Sequence, residues 1–250
     1  MVTALVGANG AGKTTLINIL AGVLAPSAGQ AKINGRVAYV AQQKPLYRPL
    51  SVTDMLKMGE SLNRVWDQGR AERWLDRFGV PLGQVCGELS GGQQTQVALA
   101  LAFGACPSVL LLDEPLASLD PLARHEITRE LMSEVADNGM TVLLSTHMVA
   151  DLGGVADHLL LLADGRLRLS GDMDTLLAEH LHVEGPRTTV PPCAGDLVRV
   201  EHARNYSAFL MRTSSSVELP QWRTRPVSIG DLVLGYMSAR KADRRGEEAA

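Results

Sequence analysis

Residues 1–15 read MVTALVGANGAGKTT, and the rest of the chain is arranged around them. Met1 to Val6 is a short apolar, β-rich run. Gly7-Ala8-Asn9-Gly10-Ala11-Gly12-Lys13-Thr14-Thr15 follows at once and fits G-x-x-x-x-G-K-T leaving a strand and opening a helix. Glycines at 7, 10 and 12 let the backbone turn tightly, so that the N–H groups of the loop, Asn9 and Ala11 included, face one concavity that suits phosphate oxygens. A helix from about Lys13 to Val23 would put its positive end behind that concavity. Lys13 would then meet the β- and γ-phosphates, while the hydroxyl of Thr14, with Thr15 beside it, serves Mg²⁺ and the phosphate chain. A glycine-rich turn that merely joins strand to helix is the plain alternative. It would not need every fixed position filled.

The bulk properties narrow the classes. With 250 residues, 46% hydrophobic and 20% charged, the chain can bury a substantial core. A net charge of −3 gives no overall electrostatic case for a nucleic acid partner. Cys86, Cys106 and Cys193 form no metal-binding pattern and read as thiols of a reducing compartment. No signal peptide and no apolar run of membrane-spanning length is present, so the expectation is a cytoplasmic protein.

Outward from the loop, 31–41 reads as two short strands around an Asn34-Gly35 hairpin turn. Ser51 and Asp54 would cap a helix reaching Asn63. Gln68 to Phe78 carries Trp74, Leu75 and Phe78 at helical spacing, and another helix is expected over Gly91 to Gly104. Val109 to Leu112, Thr141 to Ser145 and Leu159 to Leu162 are apolar runs, with a helix from about Pro121 to Asn138 between the first two and Arg166 to Ser170 following the last. The pattern predicts an α/β protein with a parallel sheet covered on both faces, its ligands bound beyond the carboxyl ends of the strands. Gly7, Asp113, Glu114 and His147 all fall at those ends. From Gly185 the composition changes: Pro186, Pro191 and Pro192 suggest a linker. Strands are expected near Leu197 to Arg199 and Ser207 to Met211, and a helix from Ile229 to Lys241, ahead of a charged, frayed end.

Asp113-Glu114 closes an apolar strand. Beside a phosphate loop, Asp113 is placed to hold Mg²⁺ through water and Glu114 to polarise the attacking water. His147 would donate a hydrogen bond to the γ-phosphate. Leu89-Ser90-Gly91-Gly92-Gln93 offers a hydroxyl and glycine N–H groups at a helix start, a second and smaller phosphate cradle.

Together these motifs resemble the nucleotide-binding subunit of an ABC (ATP-binding cassette) transporter. Gly7 to Thr14 is similar to the Walker A loop, and LSGGQ at 89–93 matches the family signature without a substitution. Val109 to Glu114 resembles Walker B with its catalytic glutamate, Gln42 the Q-loop glutamine, Ser118-Leu119-Asp120 the D-loop, and His147 the switch histidine. The match runs from residue 1 to about 180. It implies a P-loop ATPase domain over 1–184, with a helical subdomain at about 45–105 and a small C-terminal extension over 185–250. It further implies ATP and Mg²⁺ as ligands, with Thr14, Gln42 and Asp113 around the metal and Asp120 near the nucleotide.

The resemblance also implies two copies, identical or different, packed head to tail, so that Ser90, Gly91 and Gly92 of one face the γ-phosphate held by Lys13 of the other. A transmembrane permease subunit would dock on the helical region and hold the chain at the cytoplasmic face of the inner membrane. Only six residues precede Gly7, where the family carries further strands and an adenine-stacking aromatic: either the start is truncated or wrongly assigned, or ATP is expected to be held less firmly, by the about 0.5–1.5 kcal/mol of an aromatic pair. A loose likeness of Pro226-Val227-Ser228-Ile229 to the tails of drug-exporting ATPases favours export. Two other readings compete: an ABC-type ATPase acting on nucleic acid or ribosomes, and a cassette that binds ATP without efficient turnover. The first lacks the coiled coil or zinc module it would need between Lys13 and Ser90; Glu114 and His147 argue against the second.

Overall fold

In the computed structural model the described residues are 1–117, 119–213 and 221–247. The elements in chain order are β1 (Val2–Val6), α1 (Lys13–Leu20), β2 (Val37–Val40), α2 (Val52–Leu62), α3 (Gln68–Arg77), α4 (Gly91–Gly104), β3 (Val109–Asp113), α5 (Pro121–Asp137), β4 (Thr141–Thr146), β5 (His158–Ala163), β6 (Arg166–Asp172), α6 (Met173–Ala178), β7 (His180–Pro186), β8 (Asp196–His202), β9 (Tyr206–Arg212), β10 (Arg223–Pro226) and α7 (Ile229–Glu247). The larger sheet has the order β2-β3-β4-β1-β5-β6, the smaller β10-β7-β9-β8. The chain divides into two compact units, Met1–Thr3 with Gly12–Thr146 and Ala4–Ala11 with His147–Ala250, so β1 gives its first residues to one and its last to the other.

In the first unit β2, β3 and β4 pair in parallel, with Val40 opposite Leu112 and Asp113 opposite Ser145. Most of their apolar side chains, Leu110, Leu111, Leu112, Val142 and Leu144 among them, are buried under helices, as expected of strands without polar alternation. Local sequence places the helix starts. Ser51 and Asp54 close a reciprocal capping box on α2, and Ser90 and Gln93 do the same on α4. Trp74 packs edge-on against Phe103 at 4.7 Å between ring centres, so the aromatic stripe of α3 is core. Arg70 of α3 pairs with Glu134 of α5, and Arg77 with Glu130. Helix α1 ends at Leu20, three residues earlier than expected, where Gly22 turns at φ 75°.

The hairpin expected over 31–41 does not form. Only Val37–Val40 is a strand, and 31–36 is irregular and largely exposed. The carbonyl of Arg36 accepts from the N–H groups of Ser108 and Val109 instead, so this segment is tied to the approach to β3 rather than to a strand of its own.

The second unit holds the antiparallel pair β5–β6 and the smaller sheet, in which β7 pairs with β9 and β10, and β9 with β8. Gly185 and Pro186, where the linker was expected to begin, end β7, and 187–195, which holds Pro191 and Pro192, has no regular structure before β8. Pro186 is tolerated at the strand's last position, where no further ladder N–H is required. The expected strands near 197 and 207 form, longer than anticipated, and α7 starts at Ile229 and runs past Lys241 through Glu247, where fraying was expected from Arg240; 248–250 lie outside the described residues.

His180 ties this unit together. Its imidazole is buried, with Nδ1 2.6 Å from the Leu176 carbonyl and Nε2 2.9 Å from the Tyr236 hydroxyl. Burial, more than the nearby Arg212, holds its pKa below the ordinary 6.5. A histidine lowered in the folded state makes its full contribution above about pH 6.5, and that contribution falls away as the unfolded chain takes up the proton. The melting temperature should therefore drop as pH falls below 6.5, and the drop should shrink in His180→Gln. An unaltered pH slope in the variant would assign the effect elsewhere.

Candidate active site

The phosphate loop begins where β1 ends. A β-carbon on Gly7 would lie 2.3 Å from the Leu162 carbonyl oxygen, so only glycine fits there. Gly10 and Gly12 have φ of 79° and 101°, which bulkier residues resist. The Ala11 N–H donates to the Ala8 carbonyl, and the Ala11 carbonyl accepts from Gly165 N–H. Gly12 is the N-cap of α1 and has no side chain to occupy the helix's first N–H groups. Thr14 and Thr15 are exposed on the first turn, with Asn9 and Gly10 exposed in the loop ahead of it.

Lys13 is buried, 5% exposed, and its ammonium lies 3.2 Å from the Glu114 carboxylate, itself 8% exposed. A lysine taken out of water to this degree needs an anion, and Glu114 supplies one. Glu114 has φ 45°, a left-handed backbone that costs a non-glycine residue on the order of 1–3 kcal/mol. Ser145 holds it there: the Ser145 hydroxyl accepts from the Glu114 N–H at 2.9 Å and donates to Asp113 Oδ1 at 2.6 Å. The parallel register sets this up by placing Asp113 opposite Ser145.

Asp113 is wholly buried, and its second oxygen, Oδ2, has no hydrogen-bond partner among the described residues. Tyr39 of β2 donates to Asn18 of α1 at 2.9 Å, and burial, together with the charge of Asp113, raises its phenol above the ordinary value. The register that puts Val40 opposite Leu112 makes Gln42 and Glu114 leave the same edge, each two residues further on. Gln42 is exposed in the turn after β2.

Ser90 is the N-cap of α4: its hydroxyl accepts from the Gln93 N–H at 3.2 Å, and the Gln93 side chain accepts from the Ser90 N–H at 2.9 Å. Leu89 is buried under this start, while Ser90 and Gly91 are exposed. A β-carbon on Gly92 would find only ordinary contacts, the nearest at 3.5 Å from Leu119, so the fold of one copy does not demand glycine there. Asp120, expected near the nucleotide, caps α5 by accepting from the Leu122 and Ala123 N–H groups. Ser118 lies outside the described residues. His147 is exposed immediately after β4, in the second unit.

The first unit thus brings together Lys13, Glu114 and Asp113 of the expected residues. Ser145 is the functional residue that motif reading left without a role. Its signal was a lone hydroxyl at the end of an apolar strand, and only the register reveals what it faces. Ser145→Ala removes the bonds that its hydroxyl makes to the Asp113 oxygen and the Glu114 N–H in a buried place, at about 1–3 kcal/mol. Its melting temperature is expected to fall by a few degrees and its ATPase rate by at least tenfold. A variant that melts lower but turns over normally would limit Ser145 to a structural part.

The residues fit a nucleoside triphosphate with its cation. In the first unit a buried ammonium stands at the head of α1, and a buried carboxylate oxygen has no hydrogen-bond partner among the described residues. Asp113 and Thr14 would hold Mg²⁺, which would neutralise charge on the phosphates.

Comparison with known proteins agrees with this geometry. The family model described as ABC transporter matches residues 1–117. The thiamine import ATP-binding protein ThiQ of Vibrio parahaemolyticus is 34% identical over 197 residues, covering 72% of this chain and 83% of that protein. The molybdenum import ATP-binding protein ModC of Rhizobium meliloti is 32% identical, over 74% of this chain and 57% of that one. A solved structure of an ATP-binding subunit of an ABC transporter superposes with a TM-score of 0.62 at 29% identity, covering 70% of this chain and 80% of its own. ThiQ and ModC are named for import, so the exporter-branch expectation finds no support in them. The chain belongs to the ABC transporter family, as an ATP-binding subunit of the ATP-hydrolysing kind.

Proposed function

We propose that this chain hydrolyses Mg-ATP between two head-to-tail copies, identical or not, and that the cycle of closing and reopening drives a transmembrane permease. The observation that carries the reading is the buried Lys13–Glu114–Asp113–Ser145 constellation at the strand ends, with a second helix start, at Ser90, left exposed. In this reading Gly7, Asn9, Gly10, Ala11, Gly12, Lys13, Thr14 and Thr15 grip the phosphates. Glu114 activates water, and His147 and Gln42 sense the γ-phosphate. Ser90, Gly91, Gly92 and Gln93 cap the partner's nucleotide, with Asp120 nearby. Mg²⁺ is held by Thr14, Asp113 and Gln42. The cassette is residues 1–184 by the motifs it carries, and 185–250 an appendage.

A cavity of about 340 Å³ supports the permease partner. It is lined mainly by Tyr39 and Val40 of β2, Pro45 and Leu46 after Gln42, Met55 of α2 and Leu101 of α4. A cleft beside the Q-loop would let a docked helix be felt at Gln42. No helix among the described residues is long and apolar enough to cross a membrane, so a separate protein would form the path. In that assembly the chain lies at the cytoplasmic face of the inner membrane.

On direction, the relatives named for import resemble the chain over more than two thirds of its length, whereas the ground for export was a four-residue phrase. Import is the direction we adopt. Light scattering with Mg-ATP, with turnover blocked, should show a dimer that Mg-ADP does not support; a monomer under both conditions would remove the two-copy mechanism. Deleting the gene should lower cellular uptake of a small solute. Increased retention of an internal solute would reverse the direction.

A further inference from the structure

The smaller sheet carries a second cavity, of about 190 Å³, to which the ATP site makes no claim. All four of its strands and the first turn of α7 line it: His182 and Glu184 from β7, Arg199 and Glu201 from β8, Tyr206, Ala208 and Leu210 from β9, Arg225 from β10 and Asp231 from α7. The strand register arranges them in rows. Arg225 stands opposite His182, His182 opposite Leu210, and Leu210 opposite Arg199. In the next row Glu184 and Glu201 both stand opposite Ala208, one on each side. The methyl group of Ala208 is the smallest side chain on this floor and leaves a slot between two glutamates whose backbones are two strand spacings, roughly 10 Å, apart.

The charges in this slot do not cancel. Arg225 grips Asp231 through two hydrogen bonds, at 2.7 and 3.0 Å, and Arg199 pairs with Glu201. Glu184 faces His182, whose Nδ1 is 3.6 Å away, too far for a hydrogen bond. Burial first, and then Arg225, lowers the His182 pKa, so at neutral pH the imidazole brings Glu184 no positive charge. The slot therefore carries one net negative charge beside the ring of Tyr206. A metal ion is a poor match: no group of three metal-binding side chains is found among the described residues.

We infer that the slot over Ala208 binds a small organic cation bearing a primary ammonium group, its N–H donors directed at Glu184 and Glu201 and its carbon end against Tyr206. An ammonium supplies several donors to carboxylates on both sides and meets an aromatic face favourably. The site is independent of ATP, and no part of the nucleotide reading enters the argument.

The test uses the full chain with ethylammonium chloride as probe, and sodium acetate and potassium chloride as controls, followed by amide NMR shifts or calorimetry. Binding by so small a probe is expected to saturate in the millimolar range. Shifts should centre on 182–184, 199–201 and 206–210, and Glu184→Gln, nearly isosteric and half exposed, should weaken binding at least tenfold with melting temperature and basal ATPase unchanged. Ala208→Leu, which fills the slot, should abolish binding. Saturable binding of acetate in place of ethylammonium, equal shifts with potassium, or undiminished binding by Glu184→Gln would each overturn the proposal.

Discussion

Replacing Glu114 by Gln is expected to lower ATP hydrolysis at least 100-fold, the lower end of what a general base contributes, while ATP binding is kept. Glutamine has nearly the same shape and leaves the N–H bond to Ser145 intact, so the backbone at φ 45° is retained. What changes is charge. Without the carboxylate, the Lys13 ammonium, buried in the parent, loses its ion pair with Glu114, which is destabilising. The variant should therefore melt below the parent without nucleotide and gain more from Mg-ATP than the parent does, because phosphate replaces the lost anion. Thermal shift with and without Mg-ATP, beside a steady-state ATPase assay, reads both effects. Hydrolysis at the parental rate would remove Glu114 as the base. An equal ATP-induced shift in the two proteins would mean that the ion pair with Lys13 carries little energy.

Ser90→Arg is the second change of large effect. Ser90 caps α4, and losing such a cap costs about 1 kcal/mol, a modest drop in melting temperature. In the proposed two-copy arrangement the larger consequence lies across the interface, where a long cationic side chain would occupy the surface offered to the partner's nucleotide. ATPase activity should fall at least 100-fold, while ATP affinity of the isolated copy stays within about twofold. Ser90→Asp separates the two causes. Aspartate is as good a helix cap as serine, so stability should be preserved, yet its charge opposes phosphate and activity should still be lost. A variant that keeps its cap and its activity would place the signature outside the catalytic interface.

Motif spacing named most of the candidate site. Gly7 to Thr15, Asp113-Glu114 and Ser90 to Gln93 were readable because phosphate binding needs a few residue types at fixed intervals on one short stretch of chain. The helix starts were equally readable, since Ser51 with Asp54 and Ser90 with Gln93 cap through bonds spanning only three residues. The failures share a different cause. The hairpin at 31–41 was argued from an Asn-Gly turn, but the carbonyl of Arg36 is claimed by residues 108 and 109, more than seventy positions away. The break suggested by Pro186, Pro191 and Pro192 starts two residues later than Gly185, because β7 is extended through Pro186 by pairing with β9, which the local sequence does not announce. Direction of transport rested on a four-residue phrase in the tail, and the import relatives do not support it.

By itself the sequence determined the phosphate loop, the acids that follow an apolar strand, the capped helix starts and the α/β class, because each depends on neighbours a few bonds apart. Only the tertiary structure decided that Ser145 holds both Asp113 and Glu114, that Glu114 is the counter-ion of Lys13, and that two glutamates flank Ala208 in the appended sheet. These are matters of strand register, and register is set by the burial of whole sheets, where a shift of one residue would send every side chain to the opposite face.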